Sequence, residues 1–169
     1  MPSTIVELGS YCFSNCAFET IDLSHITKLG NGAFNNNKKL KSIDLAEGVQ
    51  EIPNSFAFNN QDLEYIHIPS TCTSIKSSAF YTNSRIKTDG NVKKLVMVID
   101  AVTPPTIPEQ STTNTSSNIL VSGYSGAPMN IDRAVAAGWA IYVPDSAYDA
   151  YLASNWGFYS ALIHKQSEM

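Results

Sequence analysis

Two aspartates carry the most explicit chemical signal in this sequence. Asp22 and Asp44 occupy equivalent places in two similar stretches, Phe18-x-x-Ile21-x-Leu23 and Leu40-x-x-Ile43-x-Leu45. If those stretches are neighbouring strands, the carboxylates stack about 5 Å apart. Paired carboxylates can serve acid/base chemistry or hold a cation. A calcium ion, however, asks for about six or more oxygens. The pair is therefore read first as solvated residues on a ladder, with a glycoside hydrolase as the enzymatic alternative. His25, His67 and His164 form no metal-spaced pair. His67 falls at an outward strand position and reads as a surface residue, and His164 lies in a tail expected to fray. Cys12 and Cys16 have CxxxC spacing, but no second ligand pair follows. With Cys72 they make three cysteines, an odd number that argues against a disulfide framework. Gly123-Tyr124-Ser125-Gly126 lacks the Gly-x-Ser-x-Gly spacing of a nucleophile elbow. No glycine-rich phosphate loop is present. No catalytic, cofactor-binding or metal-binding residue is assigned, and the expectation is a chain that is not an enzyme.

The elements that position these side chains come from an internal repeat. Cys12-Phe13, Ala33-Phe34, Ala57-Phe58 and Ala79-Phe80 mark four copies, with the Phe residues 21, 24 and 22 positions apart. An aliphatic sits five residues ahead: Leu8, Leu29 and Ile75. In the third copy Ile52 lies six ahead of Phe58, which reads as a one-residue insertion. Asn follows each Phe, at Asn15, Asn36 with Asn37, Asn60 and Asn83. Its side chain bonds nearby backbone and it tolerates left-handed conformation, so it suits a tight turn.

A second block opens each next turn. It reads Phe18-x-x-Ile21-x-Leu23, Leu40-x-x-Ile43-x-Leu45, Leu63-x-x-Ile66-x-Ile68 and, in degenerate form, Val92-x-x-Leu95-x-Met97. Apolar positions two apart have strand periodicity. One turn of about 22 residues cannot bury its own apolar side, but stacked turns pool theirs into one core. The outward positions Thr20, Asp22, Ser42, Asp44, Tyr65 and His67 then form two files along the sheet. These six are the candidate binding surface. Tyr65 is the best single anchor, because Tyr gives much contact area at low entropic cost.

Composition narrows the partners. Charged residues are only 15% of the 169, and the net charge is −4. Nucleic-acid binding needs clustered cations, so it is not expected. No apolar run approaches the roughly 20 residues that span a bilayer, so membrane insertion is not expected either. The chain starts at Thr4-Ile5-Val6-Glu7-Leu8, half a turn in, with no polar cap and no visible signal peptide. An uncapped end exposes strand edges. It implies either truncation of a longer protein or end-to-end self-association through that first repeat.

Regularity stops near Val102. Thr103-Pro104-Pro105 forces extended backbone, and residues 111–118 are wholly polar and read as a mobile loop. Asn114-Thr115-Ser116 is a formal glycosylation sequon. Ile119-Leu120-Val121 reads as a short strand, and Asp132 is expected to cap a helix over 133–137 that Gly138 ends. Trp139 to Val143 reads as a strand. Ser146 with Asp149 reads as a capping box for a helix presenting Tyr148, Tyr151 and Leu152. Trp156, Phe158, Tyr159, Leu162 and Ile163 add an aromatic-rich cluster that should lie over the last repeat.

Ile66-His67-Ile68-Pro69 through Ile75-Lys76-Ser77-Ser78-Ala79-Phe80 resembles the BspA-type leucine-rich repeats of bacterial surface proteins, and Leu29-Gly30-Asn31-Gly32-Ala33-Phe34 matches the second half of that pattern. Thr103-Pro104-Pro105, Ile141-Tyr142-Val143-Pro144 and Trp156 resemble the ending of many such proteins, although the stretch between the motifs is longer here. The resemblance implies an α/β repeat fold: a leucine-rich-repeat solenoid with short stacked strands and a C-terminal α/β cap. It divides the chain into repeats at 1–102, a Thr-Pro-Pro turn with polar insertion at 103–138, and a strand-helix cap at 139–169. It also implies a non-enzymatic, adhesin-like module on a cell surface or secreted, whose partner is a protein ligand such as a host extracellular-matrix or cell-surface protein. The alternative is a structural spacer or scaffold within a longer chain.

Overall fold

A computed structural model describes residues 2–81, 93–112, 118–120 and 131–169. The alternation at Ile43-x-Leu45 and Ile66-x-Ile68 does produce strands. β1 (Ser42–Asp44) pairs with β3 (Tyr65–Ile68), and β3 with β5 (Val96–Ile99). β6 (Ala140–Val143) and β7 (Ile163–Lys165) complete a five-stranded, all-parallel sheet in the order β1-β3-β5-β6-β7. Ile43, Ile66, Met97, Ile141 and Ile163 fall in one register row and are all buried. On the other side of the core β2 (Glu51–Ile52) pairs with β4 (Ser74–Ile75), and Thr106 bridges to Ser74 as a third member.

Between these strands the backbone is bonded from turn to turn at a constant offset. The N–H groups of Gly32, Phe34 and Asn36 donate to the carbonyls of Asn54, Phe56 and Phe58 at 3.0, 2.8 and 2.7 Å. Those of Ser55, Ala57 and Asn59 donate to Ser77, Ala79 and Tyr81 at 3.1, 2.7 and 2.7 Å. Three turns carry two left-handed residues each, and the described part of the fourth carries one. The first is Tyr11, Gly32, Ser55 or Ser78; the second is Asn15, Asn36 or Asn59. Asn at the second place is the expected choice. Gly32 meets two demands, since a Cβ there would lie 2.3 Å from the Tyr11 ring.

The aromatic column departs from the spacing argument. Phe13 stacks on Phe34 (5.7 Å), Phe34 meets Phe56 edge-on (5.4 Å), and Phe56 meets Phe80 (6.3 Å). Phe56, not Phe58, is the third member; Phe58 is half-buried and stacks on Tyr81. The backbone register places Ala57 opposite Phe34 and Phe80, so the third turn reads Phe-Ala where its neighbours read Ala-Phe. Both positions face the core, and exchanging a large and a small residue conserves volume. The supposed insertion disappears, because Ile52 stands five residues before Ala57 and pairs with Ile75.

Three further expectations are corrected. Residues 18–23 bury Leu23 but form no strand. The degenerate fourth copy is shifted by two: Met97 and Ile99, rather than Leu95 and Met97, pair with Ile66 and Ile68. The last segment is not frayed, since His164 sits in β7 opposite Tyr142. Its connection runs through α2 (Tyr148–Leu152) and a 3-10 segment over Asn155–Leu162. No side chain caps α2, so the Ser146/Asp149 capping box is absent. α1 (Ile131–Ala136) holds Asp132 inside its first turn rather than before it, and Gly138 follows with φ +72°. Leu120 bridges to Phe80. Asn83, Val92, the sequon at 114–116, Val121 and Gly123 to Gly126 lie outside the described residues.

The cap aromatics clamp the strap at 101–110 through their polar atoms. Tyr151 Oη donates to Ala101 O (2.7 Å), Trp156 Nε1 to Pro105 O (2.8 Å) and Tyr159 Oη to Gln110 Oε1 (2.5 Å). Asn155 Nδ2 adds a bond to Ile107 O (3.0 Å).

The column makes a discriminating prediction. Phe56→Ala should cost about 3–5 kcal/mol, as full truncation of a buried ring does. Phe58→Ala, at a half-buried place, should cost about 1–2 kcal/mol. Urea unfolding of the two variants measures the order, and equal losses would contradict the assigned register.

Candidate functional site

The outward side chains of β1 and β3 stand in register, as two files. Ser42 is level with Tyr65, Val96 and Ala140; Asp44 is level with His67, Val98, Tyr142 and His164. Four of the six candidate residues are thus brought together. Thr20 and Asp22 are exposed as expected, but no strand holds them in the files. Among the described residues no backbone hydrogen bond joins 20–24 to 42–46. Asp22 instead accepts from the Ser24 N–H at 3.0 Å, and that bond holds its carboxyl below the usual range. The two carboxylates have separate partners: Asp22 has the Ser24 N–H, and Asp44 Oδ1 lies 2.7 Å from His67 Nδ1.

His67 is the best-anchored polar side chain of the face. Its Nδ1 lies 2.7 Å from Asp44 Oδ1 and its Nε2 3.0 Å from Asp100 Oδ2. Asp100 is itself held by Gln166 Nε2 at 2.9 Å. Burial pulls the imidazole pKa down, but hydrogen bonds and charge from Asp100 and Asp44 outweigh it, and the net shift is upward. Carboxylates at both ring nitrogens favour the doubly protonated ring, which donates twice. Such a ring offers no lone pair for general-base work. Beside it Tyr65 is 37% exposed. Its phenol is raised by burial first and then by Asp44 and Asp100.

Asp100 and Gln166 escaped the sequence reading. Asp100 lies 33 residues beyond His67, an interval that the 21-to-24-residue period cannot deliver. Only the apolar run Val96 to Ile99, ending in an acid, pointed to it. Gln166 carried no signal.

Cys72 is buried, and that burial lifts its thiol to about 11, so it is inert at neutral pH. Among the described residues no three His, Cys, Asp or Glu side chains gather as a metal-ligand set. No helix there is long and apolar enough to cross a membrane. The first turn exposes Ile5, Val6 and Tyr11 and leaves Phe13 and Phe18 half-covered.

A raised His67 pKa ties stability to pH. Below about pH 6.5 the ring is protonated folded or unfolded, and its ion pairs contribute fully. As pH rises through the higher folded value that contribution is lost. Denaturant midpoints should therefore fall between about pH 6 and 8 in the wild type, and the slope should flatten in His67→Gln. Parallel slopes in both proteins would show that the imidazole is not held by its carboxylates.

Comparison with known proteins adds one match. No curated protein matches the chain. The pattern describing the BspA type leucine rich repeat region matches residues 1–87 in six copies, just over half of the 169 residues. It covers the turns whose strands, left-handed residues and aromatic column are described above. By that match the chain belongs to the BspA type leucine rich repeat family.

Proposed function

We propose that this chain is a protein-binding module of a bacterial cell-surface or secreted protein, adhesin-like in its use. Its repeats form a leucine-rich-repeat solenoid that presents a stiff sheet face to a protein ligand. The carrying observation is the patch at β1 and β3. Tyr65 stands partly exposed beside an imidazole braced on both sides, so the patch keeps its shape before a partner arrives. Preorganised surfaces lose less side-chain entropy on binding. Tyr is also over-represented among residues that dominate interface energies. Family membership supports the same reading, since leucine-rich repeats serve widely as protein-interaction surfaces. Host extracellular-matrix and cell-surface proteins are the partners to try first.

The test is binding to a panel of immobilised extracellular-matrix glycoproteins and host cell-surface proteins. The wild type should bind at least one, and Tyr65→Ala should weaken that binding about tenfold or more, the loss of about 1.4 kcal/mol or more. Its thermal midpoint should stay within a few degrees of wild type, since the ring is partly in solvent. Failure of the wild type on every panel member would sink the adhesin-like reading. Unchanged affinity in Tyr65→Ala would move the contact off this face.

A further inference from the structure

The sheet begins one turn later than the sequence repeat does. β1 is paired on one side only, to β3. Lys41 O accepts from Tyr65 N–H (3.2 Å) and Leu45 N–H donates to His67 O (3.3 Å), so the Lys41 carbonyl and the Leu45 amide face β3. By alternation along the strand, Ser42 and Asp44 present their backbone N–H and C=O to the other side. There the preceding turn stays in touch only as far as Glu19, whose carbonyl takes the Lys41 N–H at 2.9 Å. Beyond that bond the chain peels away, turning at Asp22-Leu23-Ser24 with Ile26 N–H on Leu23 O. The gap is a groove of about 410 Å³ lined by Ile21, Asp22, Leu23, Ser24, Ser42 and Asp44, with Leu45 and Ala46 at its end. Leu23 and Leu45 are buried beneath it. Asp22 and Asp44 stand exposed on its two walls.

We infer that this groove takes an extended, cationic peptide segment that adds to the free edge of β1 and places a lysine or arginine between Asp22 and Asp44. The groove, the unpaired edge and the charge fit one occupant. A strand rises about 3.3 Å per residue, so four residues of peptide run the length from Ser42 to Leu45. Edge addition supplies main-chain hydrogen bonds without regard to sequence, and the walls supply selection. Both walls are acidic, so an acidic segment is repelled and a basic one attracted. A bare divalent ion is a poorer fit, because two carboxylates fall short of its oxygen requirement. The inference rests on the binding reading above but names a different part of the surface, the sheet edge rather than the Tyr65 patch.

The probe is a fluorescent octapeptide of alternating threonine and lysine, with an alternating threonine and glutamate peptide as its counterpart. Anisotropy should show saturable binding of the lysine peptide alone, weakening as salt is raised from about 0.05 to 0.5 M. Asp22→Asn should weaken it at least fivefold. Asp149→Asn, an exposed acid in α2, should leave it unchanged. Amide exchange at Ser42 and Asp44 should slow when the peptide is bound, and methylating alternate peptide amides should abolish binding. Equal loss in Asp22→Asn and Asp149→Asn would reduce the effect to general attraction by a net-negative chain and overturn the site. Unaltered exchange at Ser42 and Asp44 would overturn edge addition. Tyr65→Ala should keep the lysine peptide bound, so failure of this proposal and failure of the sheet-face reading give separate results.

Discussion

The structure depends on one constraint: each turn must bond its backbone to the next at a fixed offset while no water reaches the interior. Buried N–H and C=O groups need partners, and a turn that bends inward leaves some beyond the reach of the main chain. Asn60 meets that need. It is 1% exposed; its Oδ1 accepts from Asn37 N–H (2.6 Å), and its Nδ2 donates to Phe34 O (3.0 Å) and Ala57 O (3.1 Å). Asn37 repeats the move one turn earlier, donating to Phe13 O at 2.8 Å. A single amide thus ties successive turns together. Outside this buried ladder a second one runs through Asn15, Asn36 and Asn59, side chain to side chain. Aspartate would carry only acceptors at either place, and leucine neither donor nor acceptor.

With the offset fixed, the hydrophobic core follows. The aliphatic rows and the aromatic column occupy two sides of each turn, and neither is continuous within one turn. That explains why the third turn tolerates Phe56-Ala57 in place of Ala-Phe. The backbone bonds hold the register, so the side chains need only fill the same volume. The same independence lets the C-terminal part join. Met97 lies 31 residues after Ile66 and Ile141 a further 44 on, both outside the repeat interval, yet β5, β6 and β7 extend the sheet in register because the row Ile43, Ile66, Met97 is met by Ile141 and Ile163. The expected strand at Trp139 to Val143 is β6, and with β7 it continues the same sheet, while the aromatics between them clamp the strap at 101–110.

Much of this was legible in the residues. Ile43, Ile66 and Ile68 stand at the inward strand positions their spacing gave them, and Ser42, Asp44, Tyr65 and His67 at the outward ones. Two kinds of feature were not legible. Periodicity reports which positions are apolar, but it cannot choose between apolar positions two residues apart, which are in phase along an extended chain. Hence Phe58 was favoured over Phe56, and Leu95 over Ile99. Periodicity is also silent across irregular intervals, so the acid that completes the His67 pair could not be found by counting. The failure at residues 18–23 has another origin. The apolar pattern is present there and Leu23 is buried, but Asp22 bonds the Ser24 amide and turns the chain, a local bond that competes with the ladder.

That competition bears on function. A parallel sheet normally hides its strands on both faces, and its edges are where proteins guard against unwanted pairing. Here β1 is three residues long, and acids stand on both sides of its open edge. Short length and charge are the usual defences against another copy of the same acidic chain. Neither defends against a basic one. The open face differs: its His67 ring is enclosed by Asp44 and Asp100, and the Tyr65 ring beside it stands partly exposed. One turn of chain thus sets two features of different character, an open strand edge flanked by acids and a face where Tyr65 stands partly exposed. Asp44 belongs to both, lining the groove while it holds His67. Through that carboxylate the two features are joined, so a cation at the proposed edge site and the proton on the imidazole would act on the same side chain.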